Sequence, residues 1–273
     1  MTGHRTLALA LALLVVGAPA GATTVSFTEV GEQAGLRIVH DPLGYTQGDQ
    51  NLQNLYGPGV ALEDVNGDGW LDVFMPNGMN MKNKLFLNNG DWTFTDVSEA
   101  MAVSDSRGGN GIAFSDIDND GRLDFAVGNF NRQPFLYRSE GDRFREVADN
   151  LGLIPLLPAE PFVIDPESMG VAFGDVDQDG FVDLHVANYR YQFDVLYENV
   201  GGGLFRYDES LGDTANAWGF QAIFCDLDND DDLDIYVAND FGFNFFFENQ
   251  GAEGGYELVE TAEIMNIAGD ENQ

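Results

Sequence analysis

The chain has 273 residues, enough for one large β domain or two ordinary ones, and an apolar content of 44 % supports a packed core and excludes a disordered chain. Its 46 Asp and Glu against 12 Lys and Arg give a formal charge of -34. That excludes nucleic acid and anionic lipid surfaces as partners, because their phosphates would be repelled, and favours cations or basic partners.

Residues 1–22 have the layout of a secretory signal peptide. Arg5 supplies the positive start, Leu7 to Val16 are apolar, and Ala18-Pro19-Ala20 or Ala20-Gly21-Ala22 fits the cleavage pattern. The run is shorter than the roughly 20 residues that a membrane span needs, and no cysteine follows it to carry a lipid. The mature chain is therefore expected to be secreted, periplasmic or at the cell surface. Its one cysteine, Cys225, can form no internal disulfide and reads as a buried, inert thiol.

Next comes "FTEVGEQAGL" (27–36), a stretch that recurs later as an outer strand followed by a turn. Four acidic stretches then follow in register: "EDVNGDGWLDV", "SDIDNDGRLDF", "GDVDQDGFVDL" and "CDLDNDDDLDI". Their first aspartates, Asp64, Asp116, Asp175 and Asp226, are spaced by 52, 59 and 51 residues, so the chain is a repeat protein. Each repeat opens on a short apolar run led by glycine. After the acidic loop come a β-branched and aromatic run closing on Asn77, Asn129, Asn188 or Asn239, a third apolar run ending in turn residues, and a fourth run that starts on an aromatic. Four short strands per unit at a period near 50 predict an all-β fold, a β-propeller of four-stranded blades. The repeats are placed at about 57–103, 109–153, 168–212 and 217–264, within a propeller domain over 23–273. The extra fourth-strand pattern at 27–36 is expected to be an N-terminal outer strand that completes another blade. With the repeat-like stop at the C-terminus, it makes the four repeats read as part of a larger ring.

The loop reads D-x-[DN]-x-D-G-x-x-D. Positions 1, 3, 5 and 9 carry oxygen ligands, and the backbone carbonyl of position 7 can add another. The candidate ligands are Asp64, Asn66, Asp68, Trp70 and Asp72 in site one, and Asp116, Asp118, Asp120, Arg122 and Asp124 in site two. Site three has Asp175, Asp177, Asp179, Phe181 and Asp183; site four has Asp226, Asp228, Asp230, Asp232 and Asp234. Like charges this close repel unless a cation sits among them. A hard cation such as Ca²⁺ takes six to eight oxygens, so up to four Ca²⁺ ions are expected. An EF-hand shares the start of the motif but needs glutamate at position 12, where this chain has Met75, Val127, Val186 and Val237. A single D-N-G stretch is explained by turn chemistry alone; four in register are not. Site four carries Asp231 where the others have glycine, a position that calls for a left-handed turn.

These residues resemble FG-GAP or VCBS repeats, the units of the seven-bladed propeller of integrin α subunits. The "F-x-[DE]-V" strand followed by "AGL" or "LGL" is similar, more narrowly, to the cartilage acidic protein and ASPIC/UnbV group. The resemblance implies calcium in the loop between the first two strands of each blade, and a ring of seven blades of which four are present.

No nucleophile and base are paired in the sequence, and His185 reads as a packing residue. The favoured function is an exported, calcium-stabilised platform for a protein or glycan partner. The alternative is an extracellular carbohydrate-active or biosynthetic enzyme. Its site would lie on the long inter-blade loops 40–56 and 154–169, with Asp41, Asp49, Glu160, Asp165 and Glu167 as candidate acids.

Overall fold

The computed structural model describes residues 26–39, 58–78, 81–106, 108–129, 133–153, 167–189, 193–208, 211 and 218–262. The signal-peptide reading, most of both long inter-blade loops and the candidate acids Asp41, Asp49, Glu160 and Asp165 lie outside these residues.

Four antiparallel four-stranded sheets follow one another along the chain, each in the order first to fourth strand. The first holds β1 (Ala61–Glu63), β2 (Asp72–Met75), β3 (Lys84–Asn88) and β4 (Phe94–Asp96). The second holds β5 (Ile112–Ser115), β6 (Asp124–Val127), β7 (Phe135–Ser139) and β8 (Phe144–Glu146). The third holds β9 (Ser168–Gly174), β10 (Asp183–Asn188), β11 (Val195–Asn199) and β12 (Phe205–Asp208). The fourth holds β13 (Gly219–Cys225), β14 (Asp234–Asn239), β15 (Phe245–Asn249) and β16 (Leu258–Glu260). The only helices among the described residues are a 3-10 turn at Ala148–Asn150 and α1 (Gly251–Gly254). The expected all-β architecture of propeller blades is what the chain adopts.

The core lies between blades. Successive residues of a strand face opposite ways, so in β2 Phe74 packs with Phe125, Val127 and Phe135 of the second blade while Val73 and Met75 pack with Ala34, Leu36 and Ile38. Ile117, Ala126 and Leu136 meet Leu184, Val186 and Phe205 across the second and third blades, and Val176 and Leu196 meet Ala222, Ile235 and Val237 across the third and fourth. Second strands with apolar matter on both sides are expected to be apolar throughout, as β2 and β6 are after their leading aspartate; β10 departs from this at His185 and Asn188.

The blades meet closely at their first strands. Gly111 N–H donates to the Met169 carbonyl at 2.8 Å, and a Cβ on Gly111 would lie 2.7 Å from that oxygen. A Cβ on Gly170 would lie 2.7 Å from the Phe220 carbonyl. These contacts explain the leading glycine, and the register corrects its assignment in the fourth repeat. Gly170 pairs with Ala187 and Ser168 with Asn188, while Gln221 pairs with Ala238 and Gly219 with Asn239. Gly219 therefore matches Ser168, and it is Gln221 that stands where the other blades have the glycine.

A second correction concerns the N-terminal segment. Residues 26–30 form no strand, and none of the four sheets takes them up as a fifth. What the segment keeps is the turn that follows: the Ala34 carbonyl accepts from Phe94 N–H at 2.7 Å. Met101 does the same for Phe144 at 2.9 Å, and Leu151 for Phe205 at 2.7 Å. The "AGL/LGL" motif is thus a hook that hangs each segment on the fourth strand of the next blade.

Candidate metal centres

Each acidic loop is the hairpin between the first and second strands of a blade. Its first aspartate follows the first strand, and its ninth residue begins the second. Two left-handed residues make the hairpin tight, at positions 4 and 6: Gly67 and Gly69, Asn119 and Gly121, Gln178 and Gly180, Asn229 and Asp231. The sequence pointed to position 6 alone.

The carboxylates organise the loop before any ion does. The first accepts two backbone N–H groups: Asp116 from Asp120 at 3.0 Å and Gly121 at 2.8 Å, Asp175 from Asp179 at 3.1 Å and Gly180 at 3.0 Å. The fifth accepts from position 7: Asp68 from Trp70 and Asp179 from Phe181. The ninth ties the loop to the sheet. Asp124 accepts from Ile117 at 3.2 Å and Ser139 at 2.7 Å, and Asp183 accepts from Val176 and Asn199, each at 2.9 Å. Asp72 and Asp234 repeat this with Val65 and Asn88, and with Leu227 and Asn249.

The structure brings together carboxylate oxygens of Asp116, Asp118 and Asp124 within 4.8 Å of one another, and likewise those of Asp175, Asp177 and Asp183. In both clusters the ninth-position aspartate is buried. Asp120 and Asp179 stay outside these groups, on the backbone of their own loops; Asp120 also ion-pairs with Arg122. At site four the converging set is Asp226, Asp228 and Asp230, all exposed, and Asp234 is not part of it. The N–H of Asp231, at φ 74°, reaches Asp226 at 3.3 Å, longer than the 2.7 Å of Gly69 to Asp64. Site one gathers no such trio, since its third position is Asn66, whose amide donates to Asp68 at 2.9 Å.

Burial without a counter-ion raises the carboxylates. Desolvation lifts Asp124 to about 6 and Asp183 to about 7, against the pull of the two backbone N–H groups each accepts. Asp72, Asp177 and Asp234 move up for the same leading reason. Asp118 also rises through burial, opposed by Arg138, and its side chain is only 4 % exposed. Arg138 ion-pairs with it. Oxygen-only donors that converge, with the ninth-position carboxylate buried among them, suit a hard divalent cation.

Position 7 contributes its side chain elsewhere. Trp70 covers Gly90 and Phe181 covers Gly201, so these residues cap the turn between the third and fourth strands. Sequence reasoning missed Arg138, and it missed the residue that ends each third strand, Asn88, Ser139, Asn199 or Asn249, whose N–H holds the ninth aspartate. The recurring N-x-G or S-x-G at the end of the third run was the available signal. His185 is buried in the interior of the third blade, as a packing residue should be, but neither ring nitrogen has a hydrogen-bond partner. Glu167 is buried, and its carbonyl accepts from Tyr189. Cys225 is half-buried rather than buried, with its thiol raised by burial.

A family model described as FG-GAP-like repeat matches residues 64–127, 116–186 and 175–237. Cartilage acidic protein 1 of Homo sapiens is 27 % identical over 197 residues, covering 67 % of this chain and 28 % of that protein. The Xenopus tropicalis protein of the same name is 29 % identical over 141 residues, covering 50 % of this chain and 20 % of its own length. The chain thus spans less than a third of the curated relatives it matches. Among solved structures, the crystal structure of BBS1N in complex with ARL6DN, soaked with lead, is similar with a TM-score of 0.46 and 14 % identity, covering 80 % of this chain and 57 % of that one.

Proposed function

We propose, for a chain that belongs to the FG-GAP-like repeat family, an exported calcium-binding propeller module that serves as a binding platform for a protein or glycan. Calcium in the strand-one to strand-two loops holds each blade's inner hairpin in place. The observation that carries this reading is the convergence at sites two and three. At each, three carboxylates bring oxygens within 4.8 Å of one another, and the ninth-position one is buried. Asp116, Asp118 and Asp124, and Asp175, Asp177 and Asp183, would hold the ions; Asp226, Asp228 and Asp230 would hold a weaker one. Asp64, Asn66, Asp68 and Asp72 would make the fourth, with an amide in place of one carboxylate. Each supplies negative charge and oxygen; the cation would offset the burial that lifts the carboxylates and the smaller repulsion among them.

The platform reading draws on an aromatic cluster at the opposite end of the strands from the acidic loops. Tyr189 and Trp218 meet edge to face at 4.8 Å, and Trp218 meets Phe241 at 5.1 Å. Phe241 is 56 % exposed, and Phe220, Phe193 and Phe243 are exposed nearby in the chain. Exposed aromatics of this kind mark contact surfaces. Export rests on the signal-peptide layout of residues 1–22. Among the described residues no helix is long and apolar enough to cross a membrane.

A thermal melt of the mature chain in EDTA, followed by calcium titration, tests the central statement. Each tenfold excess of calcium over its Kd adds about 1.4 kcal/mol per site, so a calcium-dependent rise in Tm is expected, reduced by Asp116→Ala or Asp175→Ala. An unchanged midpoint would sink the calcium reading. Mass analysis of the secreted chain, expected to begin at Thr23, tests export.

A further inference from the structure

We infer that Asn119 and Gln178 are positioning residues that link neighbouring metal loops, so that sites two, three and four fill cooperatively while site one fills alone. The inference rests on the calcium reading above.

Both residues occupy position 4 of their loops, and both are left-handed, at φ 57°. Glutamine gains nothing from that conformation, which is costly for residues other than glycine, asparagine and aspartate. What it gains is reach. Gln178 Nε2 donates to the Asp231 carbonyl at 3.0 Å and to Asp232 Oδ1 at 2.6 Å, both in the loop of site four. Asn119 Nδ2 donates to the Gly180 carbonyl at 2.9 Å, in the loop of site three. In each case the amide of one loop fixes position 6 of the next, where the chain turns.

A second bond runs back. Asn199 gives its N–H to Asp183 of site three and its Nδ2 to the Ile117 carbonyl of site two, at 2.8 Å. Asn249 gives its N–H to Asp234 of site four and its Nδ2 to the Val176 carbonyl of site three, at 2.8 Å. Ile117 and Val176 are the residues whose own N–H groups hold Asp124 and Asp183. Each connector therefore touches the ninth-position aspartate of its own site directly and that of the previous site through one residue.

Loop one lacks both halves of this link. Its position 4 is Gly67, with no side chain to reach across. The connector position of the second blade is Ser139, whose Oγ accepts from Gly141 within its own turn. Among the described residues no hydrogen bond joins loops one and two.

Ordering a loop costs conformational entropy. A loop already ordered by its neighbour's ion demands less of its own, which is positive cooperativity without any larger movement. Coupling of this kind is reciprocal, so it must be visible from either site.

The test is calorimetric titration of the metal-free full chain with calcium alone. Asn119→Gly and Gln178→Gly place at position 4 the residue that loop one uses there, and Asn119→Asp keeps the shape but cannot donate. Expected are a cooperative wild-type isotherm, reduced cooperativity in each variant between the two sites whose link is cut, and affinity weakened about fivefold at the next site, the worth of one hydrogen bond. Asp175→Ala is expected to weaken sites two and four as well as emptying site three, and Asp64→Ala to leave all three unchanged. Melts in EDTA separate positioning from mere support, since a purely structural bond would lower Tm there and leave the isotherm's shape intact. Wild-type sites that bind calcium independently, with Asn119→Gly indistinguishable, would overturn the coupling and leave the calcium reading standing. A wild-type chain that takes up no calcium would overturn both.

Discussion

The third and fourth blades share a topology and a strand register, residue for residue, yet they hide very different amounts of themselves. β9 pairs with β10 through the same offsets, bulge included, as β13 pairs with β14. β10 is buried along its whole length; in β14 Tyr236, Ala238 and Asn239 are half-exposed. In β13 Phe220, Gln221 and Ile223 are exposed, while Met169, Gly170 and Ala172 of β9 lie under them or beside them. The metal loops follow suit: Asp183 of site three is buried among half-buried partners, whereas Asp226, Asp228 and Asp230 of site four are open to water. The strands are equally well made. What differs is that the third blade is packed between the second and the fourth, whereas among the described residues the fourth packs against the third alone. Dryness at a site, and with it the strength of its electrostatics, comes from the neighbouring blade and not from the loop's own motif.

The largest expected effect tests that contrast directly. Asp183→Ala leaves the N–H groups of Val176 and Asn199 unpaired in a buried setting, a loss of about 2–6 kcal/mol in EDTA by urea unfolding. Asp230→Ala removes a carboxylate that accepts one N–H in open water and is expected to cost less than about 1 kcal/mol. Equal losses would erase the distinction between a buried ninth-position carboxylate and an open fifth-position one.

The core of the third blade carries its own weakness. His185 is buried with no hydrogen-bond partner, and burial pulls its pKa down to about 3. Its counterpart in the fourth blade is Tyr236. His185→Leu removes an unsatisfied group at similar volume and is expected to stabilise by about 1–3 kcal/mol. The folded imidazole stays neutral while the unfolded one takes up a proton below about 6.5. The native chain therefore loses stability as pH falls from there towards 3, and the gain from His185→Leu grows over the same range. A gain independent of pH would mean that the ring is protonated in the fold.

Calcium affinity gives the next effect. Asp183, raised to about 7, and Asp124, raised to about 6, hold protons in the metal-free fold that the unfolded chain releases above the ordinary carboxylate range. Metal-free stability from these two groups therefore rises as pH falls from about 7 towards 4. Calcium must displace the same protons, so affinity at site three should weaken about thirtyfold from pH 8 to pH 5.5. Calorimetry at the two values checks this; an unchanged affinity would show that Asp183 is not a ligand.

The smallest effect sharpens site four. Asp231→Gly relieves a left-handed aspartate and should stabilise by about 0.5–1 kcal/mol in EDTA melts. It should also bring site four's calcium affinity towards that of site three.

Much of this was legible because it repeats. Four apolar runs, three of them led by a glycine in register, four acidic loops and four closing asparagines give the strands, their number and the hairpin that carries the carboxylates. Other features were hidden for a physical reason. Gln178 looks like filler until the next blade's loop lies against it, and Asn199 looks like a turn residue until its amide is seen on Ile117. Gln221 escaped notice because "WG" offers a glycine two residues early, and only the pairing with Ala238 shows which residue meets the neighbouring strand. The strand pattern at 27–36 is real in sequence, yet a strand needs a partner strand, and none of the four described sheets pairs with it.

By itself, then, the sequence determined what is local: strand periodicity, the tight acidic turns, the charge, and an outer strand followed by a hook. These depend on neighbours a few residues apart, and the chain carries that information in order. Only the tertiary structure decided which carboxylates converge, which are dry, that Arg138 rather than solvent faces Asp118, and which loops hold one another. Those properties depend on how the hairpins close and on groups brought together when one blade packs on the next, the loop-to-loop bonds joining residues 53 to 82 apart in the chain.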